Sequence, residues 1–227
     1  MREIKIPESG PKRHLLDVAE RLFAAKGFES VSVRDITREA VVNVAAVNYH
    51  FGSRDTLVAL VIGRHLRPVN EERLARVEVL EKKSPGKGVV PVEEIIEALA
   101  RPLVGAVRKS GLPEPAACEL LGRILAFRGP GFPEELEMQT QTVIARFMRI
   151  LGKALPTVSA EELVWRMHFV TGGMIQMLMG RAGVEVSGAT AIDATLGRFI
   201  RFATAGLREG VDSESAVKKG PQATFDF

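Results

Sequence analysis

Residues 15–57 read LLDVAERLFAAKGFESVSVRDITREAVVNVAAVNYHFGSRDTL, and the spacing of their apolar side chains decides the fold class. Leu15, Ala19, Leu22 and Phe23 stand at i, i+4, i+7 and i+8, one buried face of an α-helix, and Gly27 stops it. This predicts a first helix over about 11–26. Ser32 then offers an N-cap oxygen, and Val33, Ile36, Thr37 and Ala40 keep the helical spacing for two turns. Asn43 offers another cap, and Val47 with Phe51 forms the apolar stripe of a third short helix, residues 44–51, broken at Gly52-Ser53. Ser53 caps a longer fourth helix from Arg54 to about Glu81, with Leu57, Leu60 and Val61 inward.

Working outward, proline and glycine cut the rest of the chain into helical pieces over about 91–109, 115–127, 133–154, 159–182 and 189–208. No stretch sustains the period-two alternation of a strand, so the chain reads as all-α with about nine helices. Residues 82–88 are charged, glycine-containing and poor in apolar side chains, which suggests a linker or solvated loop. Residues 210–227 are polar and aperiodic, as a flexible tail would be. No repeat of a solenoid period is visible.

The 227 residues, 46% apolar and 26% charged, suit a small module plus a larger core-bearing body and exclude a disordered chain. One cysteine, Cys118, forms no internal disulfide, and the first thirty residues show no signal-peptide pattern, so a cytoplasmic setting is expected. The longest uncharged apolar run, Met167 to Gly180, has 14 residues. That is short of the ~20 needed to span hydrocarbon, so no membrane is expected as a partner. The net charge of +3 lies wholly in residues 1–70, where 11 Lys/Arg face 8 Asp/Glu, and this small excess permits nucleic-acid binding without arguing for it.

Three short helices, the second and third joined by a three- or four-residue turn, are the ingredients of a helix-turn-helix. With Val47 and Phe51 inward, residues 44–51 present Ala45, Ala46, Asn48, Tyr49 and His50 outward. Small residues permit close approach to a groove, while Asn, Tyr and His reach base edges or phosphates. Residues 12–60 resemble the N-terminal DNA-binding domain of the TetR family of bacterial transcriptional regulators. The resemblance is carried by Gly27-Phe28 ending the first helix, Ser32-x-Arg34-x-Ile36 opening the second, Tyr49-His50-Phe51 ending the third and Ser53-Arg54 opening the fourth.

The resemblance implies that Ser32, Arg34, Asn43, Tyr49, His50 and Arg54 meet phosphates, while Ala45, Ala46 and Asn48 face base edges. Two positions depart from the family pattern. Val41 stands where the turn usually has glycine, and a β-branched residue at positive φ is costly, so a strained or rearranged turn is expected. Thr37 replaces a usual alanine, a milder change because its hydroxyl can bond back to the preceding turn.

Enzyme readings find little support. The histidines at 14, 50, 65 and 168 lack metal-site spacing, Cys118 has no histidine near it in sequence, and Gly86-Lys87-Gly88 lacks the rest of a phosphate-cradling loop. The pairs Glu93-Glu94, Glu134-Glu135 and Glu161-Glu162 each follow a helix-start signal, so capping and the helix dipole explain them better than acid–base chemistry does. No cofactor or metal is expected.

The uncharged run 167–180 cannot give its helix an ordinary solvent face, so cover by its own body on one side and a symmetry mate on the other is expected. The expected dimer residues are Gly172, Gly173, Gln176, Ile192, Leu196, Phe199, Ile200 and Ala203. A ligand pocket in the body is expected among Cys118, Leu121, Leu125, Phe127, Trp165, Met167, His168, Thr171 and Met174, with Leu103, Val107, Met138 and Phe147 nearby. Its mostly apolar lining suits a hydrophobic small molecule, with Arg123, Arg128 or His168 available to pair with a carboxylate.

The expected domains are residues 1–56 for DNA, a connecting helix over 54–81, and a helical ligand-binding and dimerisation body over 57–209. The expected function is a homodimeric repressor released from a palindromic operator in double-stranded DNA by a hydrophobic effector. A helical dimeric ligand-binding or interaction protein without operator binding is the alternative, and DNA binding separates the two.

Overall fold

Capping side chains and prolines set the helix ends. The computed structural model describes residues 10–83, 89–180 and 191–209, and among them it contains nine α-helices and no strand. In chain order these are α1 (Pro11–Lys26), α2 (Val33–Glu39), α3 (Val44–Phe51), α4 (Arg54–Lys83), α5 (Val92–Lys109), α6 (Glu114–Ala126), α7 (Glu134–Ala154), α8 (Ala160–Leu178) and α9 (Ala191–Arg208). The eighth helix ends at Leu178, short of the expected 182. The core of the expected linker, residues 84–88, and the expected tail, 210–227, lie outside the described residues.

The caps act as their side chains dictate. Ser32 Oγ accepts from Asp35 N at 3.2 Å while Asp35 Oδ2 accepts from Ser32 N at 3.0 Å, a reciprocal box that starts α2. The Ser32 hydroxyl and amide hold the Asp35 carboxyl below its usual range. Asn43 Oδ1 accepts from Ala45 N at 3.0 Å to start α3, and Ser159 Oγ accepts from Glu162 N at 3.2 Å to start α8. Glu93-Glu94, Glu134-Glu135 and Glu161-Glu162 all sit in first turns, where carboxylates face the positive end of the helix dipole.

Between α2 and α3 the chain turns at Val41, whose φ is 55°. Valine rarely adopts this region because its branched Cβ crowds the carbonyl, at a cost of roughly 1–3 kcal/mol. The turn is nevertheless closed, with Val42 N donating to Thr37 O at 3.0 Å and Thr37 Oγ1 donating to Arg34 O at 3.2 Å. Val41 is 90% exposed, so its side chain returns almost no packing. Val41→Gly is therefore expected to stabilise the protein by about 1 kcal/mol after the extra unfolded-state entropy of glycine is counted, raising the thermal midpoint by about 2–4 °C. A lower midpoint in a circular-dichroism melt would show that the turn is not strained.

Two apolar clusters fill the molecule. One gathers Leu15, Phe23, Ile36, Val47, Phe51, Leu57 and Ile62 from α1–α4, together with Leu120, Ile124 and Leu136. The other joins the second half of α4 to α5, α7, α8 and α9, and includes Ala117 and Leu121. α6 thus places Leu120 and Ile124 toward the N-terminal cluster and Ala117 and Leu121, one helical step away, toward the body. The joint is tight at Gly27, which has φ of 84° and where a Cβ would stand 2.8 Å from Arg123 Nη1. Arg123 Nε donates to Ala24 O at 3.1 Å there, so α6 caps the end of α1.

Candidate functional site

α3 lies with Val47 and Phe51 buried under it and the opposite side open. Ala45 and Asn48 are exposed, Ala46 and His50 are half-buried, and Tyr49 is 85% exposed. The Tyr49 and His50 rings meet edge to face at 5.1 Å, which steadies both on the outer surface. Ser32, Arg34 and Asn43 are also exposed, and Arg34 has no partner among the described residues. Arg38, by contrast, is paired to Asp35 at 2.6 Å. One face therefore carries small residues that allow close approach, polar tips that reach base edges and a free cation suited to a phosphate.

Arg54, for which a phosphate contact is expected, also makes contacts within the chain. Its Nε donates to Val31 O at 3.0 Å and its Nη2 to Phe28 O, so the guanidinium ties the α1–α2 loop to the start of α4. These acceptors take two of the five N–H donors of this half-buried side chain, which thereby supports the loop geometry.

Behind this face α1 is joined to α4 by buried charge. Glu20 is 1% exposed, with Arg64 Nη1 at 2.9 Å and His65 Nε2 at 3.2 Å, and Asp17 receives Arg64 at 2.8 Å. None of these roles was read from the sequence, although Glu20 stands one place after Ala19 on the apolar face of the first helix.

In the body, Leu121, Met167, Met174, Leu103, Val107 and Phe147 come together in one buried cluster, with Cys118 and Leu125 packed against it. Burial, and then Glu114, pushes the Cys118 thiol up to about 11, so it stays protonated at neutral pH. Thr171 is half-buried. Other expected pocket residues lie elsewhere. Phe127 packs on Phe28 in the N-terminal cluster, with ring centroids 4.7 Å apart, and Trp165, His168 and Met138 are exposed. Of the expected carboxylate partners, Arg123 bonds Ala24 O and pairs with Glu119, and Arg128 Nη1 donates to the Leu125 and Phe127 carbonyls. His168 Nδ1 sits 2.8 Å from Val164 O.

The expected dimer residues divide in the same way. Ile192, Leu196, Phe199 and Ala203 are buried in the chain's own core and Ile200 packs against it, so these face inward. A Cβ on Gly173 would stand 3.0 Å from Phe199 Cε2, so this glycine lets α9 approach α8 within one chain. Gly172 and Gln176 are exposed. The outward face instead shows Trp165, Phe169 and Phe202, beside an apolar groove of about 270 Å³ that Val170, Gly206 and Leu207 also line. Trp165 and Phe169 stack at 4.5 Å. Buried Arg166 fixes the α8–α9 geometry by donating to Leu207 O at 2.8 Å and Glu209 O at 2.5 Å. Because 167–180 carries no charge, the sequence does not say which apolar side of α8 faces in.

Among the described residues there is no cluster of side chains able to hold a metal and no helix long and apolar enough to cross a membrane.

Comparison with known proteins matches both parts of the chain. A family model for the N-terminal region, "Bacterial regulatory proteins, tetR family", matches residues 15–61, and one described as "Tetracyclin repressor-like, C-terminal domain" matches residues 97–206. The HTH-type transcriptional regulator AcrR of Shigella flexneri is 27% identical over 126 residues, 54% of this chain. That match spans 56% of the relative's own length. Among solved structures, the ketosteroid transcriptional regulator KstR2 of Mycobacterium tuberculosis shares the fold at a TM-score of 0.59, with 18% identity over 92% of this chain and 100% of that one. A TetR-like transcriptional regulator from Rhodococcus sp. RHA1 does so at 0.54, with 20% identity over 89% of this chain and 98% of that one. With its exposed recognition helix, its nine helices among the described residues and both regions matched, this chain belongs to the TetR family of helix-turn-helix, DNA-binding transcriptional regulators.

Proposed function

We propose that the protein is a homodimeric repressor that leaves a palindromic operator when a hydrophobic small molecule binds its helical body. The observation that carries this reading is the open face of α3, with Ala45, Asn48 and Tyr49 outward and Arg34 free beside them. Homodimers and small-molecule effectors are typical of the family, and the exposed Trp165, Phe169 and Phe202 surface suits a second copy of this chain. The reading assigns residues 1–56 to DNA and 57–209 to effector and partner, and it places the protein in the cytoplasm. It includes no catalytic step.

α6 supplies a path between the two parts, since its Leu120 and Ile124 join the N-terminal cluster and its Ala117 and Leu121 the body. An inducer acts only by its differential affinity for two states, so operator DNA must weaken inducer binding by the same factor.

The test is a footprint on DNA upstream of the protein's own gene, followed by salt-dependent binding. Arg34→Ala is expected to weaken binding about equally across operator variants and to make the salt dependence shallower by about one ion per half-site. Asn48→Ala should change base preference at one position per half-site. Absence of a protected palindrome, or an Asn48→Ala effect independent of sequence, removes this reading.

A further inference from the structure

Arg73, on the body half of α4, is 4% exposed and has no carboxylate within ion-pair distance among the described residues. Its Nε donates to the Leu99 carbonyl of α5 at 2.8 Å. Its Nη1 lies 3.5 Å from Asn70 Oδ1, and its Nη2 lies 4.0 Å from the thioether Sδ of Met174 on α8. Asn70 is fully buried too and donates to Thr140 Oγ1 of α7 at 2.9 Å. A cation therefore sits where α4, α5, α7 and α8 converge, inside the apolar cluster, with one good acceptor, one marginal one and one weak one.

A buried guanidinium without an anion is costly, and structures usually supply a carboxylate or replace the residue with an apolar one. Burial pulls its pKa down to about 10, which still leaves it charged at neutral pH. Six other arginines have acids: Arg64, Arg67, Arg76, Arg101, Arg146 and Arg166 pair with a carboxylate, whereas Arg34, which has none, is exposed to water. Met174 is the replaceable neighbour, because a thioether is a weak acceptor on a flexible chain. The Leu99 carbonyl lies just after Ala98, whose own carbonyl loses its helical partner at Pro102, so α5 is locally open beside the guanidinium.

We infer that Arg73 is the anchor for the acid group of an apolar effector, whose carboxylate displaces the Met174 thioether and takes the free edge of the guanidinium while its apolar part lies among Leu103, Leu121, Met167 and Met174. This rests on the ligand-responsive reading above and names the effector's class, an apolar carboxylate. Arginine is suited to the task because its planar fork accepts a carboxylate through two parallel hydrogen bonds.

The experiment titrates the full-length protein with octanoate, decanoate and dodecanoate, each against its matching alcohol, by calorimetry. Wild type is expected to bind the carboxylates about 30-fold more tightly than the alcohols. In Arg73→Met that preference disappears, carboxylates binding no better than their alcohols, and in Arg73→Lys, which keeps the charge but loses the fork, it is intermediate. If Arg73→Met does not fold, the Lys variant carries the comparison: a carboxylate-over-alcohol preference about tenfold smaller than that of wild type. The inference is overturned if carboxylates bind wild type no better than alcohols, if none of the series binds wild type, or if the Arg73 variants keep wild-type carboxylate affinity. Carboxylate binding that leaves operator affinity unchanged removes the repressor reading and leaves the anion site standing.

Discussion

Phe202→Glu is expected to yield a folded monomer that no longer holds a palindromic operator. Phe202 is 75% exposed in the single chain and stands beside Trp165, Phe169 and the apolar groove between α8 and α9. In the proposed homodimer, burying one such ring contributes about 1.5–3 kcal/mol, and twofold symmetry places the substitution in the interface twice. Adding an unpaired carboxylate raises the cost further, so the dimer should weaken by more than about a hundredfold. The side chain points out of its own core, so helicity should remain at the wild-type level.

Sedimentation velocity gives the assembly state directly. Trp165 is the sole tryptophan, so its emission should shift toward the red as the dimer opens and the ring meets water. Operator binding falls because two half-sites are then engaged independently rather than by one linked pair. A Phe202→Glu dimer of unchanged affinity, or a wild-type monomer at micromolar concentration, would place the interface elsewhere.

Glu20→Ala is the second large effect. The carboxylate lies almost wholly out of water between Arg64 Nη1 at 2.9 Å and His65 Nε2 at 3.2 Å, and removing it leaves both without their common partner. Breaking a buried ion pair costs about 3–5 kcal/mol, and the lower end applies here because Arg64 keeps Asp17 at 2.8 Å. The thermal midpoint should fall by roughly 6–12 °C. Glu20→Gln, which keeps a hydrogen-bond acceptor, should lose less. An unchanged midpoint for the alanine variant would show that the Arg64–Asp17 pair alone secures α1 on α4.

Much of the N-terminal module was legible because its signals are local. Ser32, Asn43 and Ser53 announce their helices within three residues, and Val47 and Phe51 leave Asn48 and Tyr49 no inward direction in a helix of eight residues. At Val41, where the family resemblance left a strained or a rearranged turn open, the structure keeps the turn with a positive φ of 55°. Arg54 was not legible in this way. Its acceptors, the carbonyls of Phe28 and Val31, are more than twenty residues earlier in the chain, and nothing in its neighbours distinguishes a loop clamp from a phosphate contact.

By itself, the sequence determined the helical class, the helix-turn-helix and the approximate positions of the helices among the described residues, because apolar periodicity and capping act over one or two turns. Only the tertiary structure decided which apolar face of α8 is inside, and with it that Leu196 and Phe199 serve the chain's own core while Trp165, Phe169 and Phe202 stay outside. It also decided that Arg73 is a buried cation without an acid among the described residues, whereas Arg123 pairs with Glu119 and Arg128 with nearby carbonyls. The physical reason is common to both. In a helix with no charge on either side, periodicity marks a stripe but not its partner, and the pairing of an arginine depends on which distant carbonyl or carboxylate packing brings within about 3 Å.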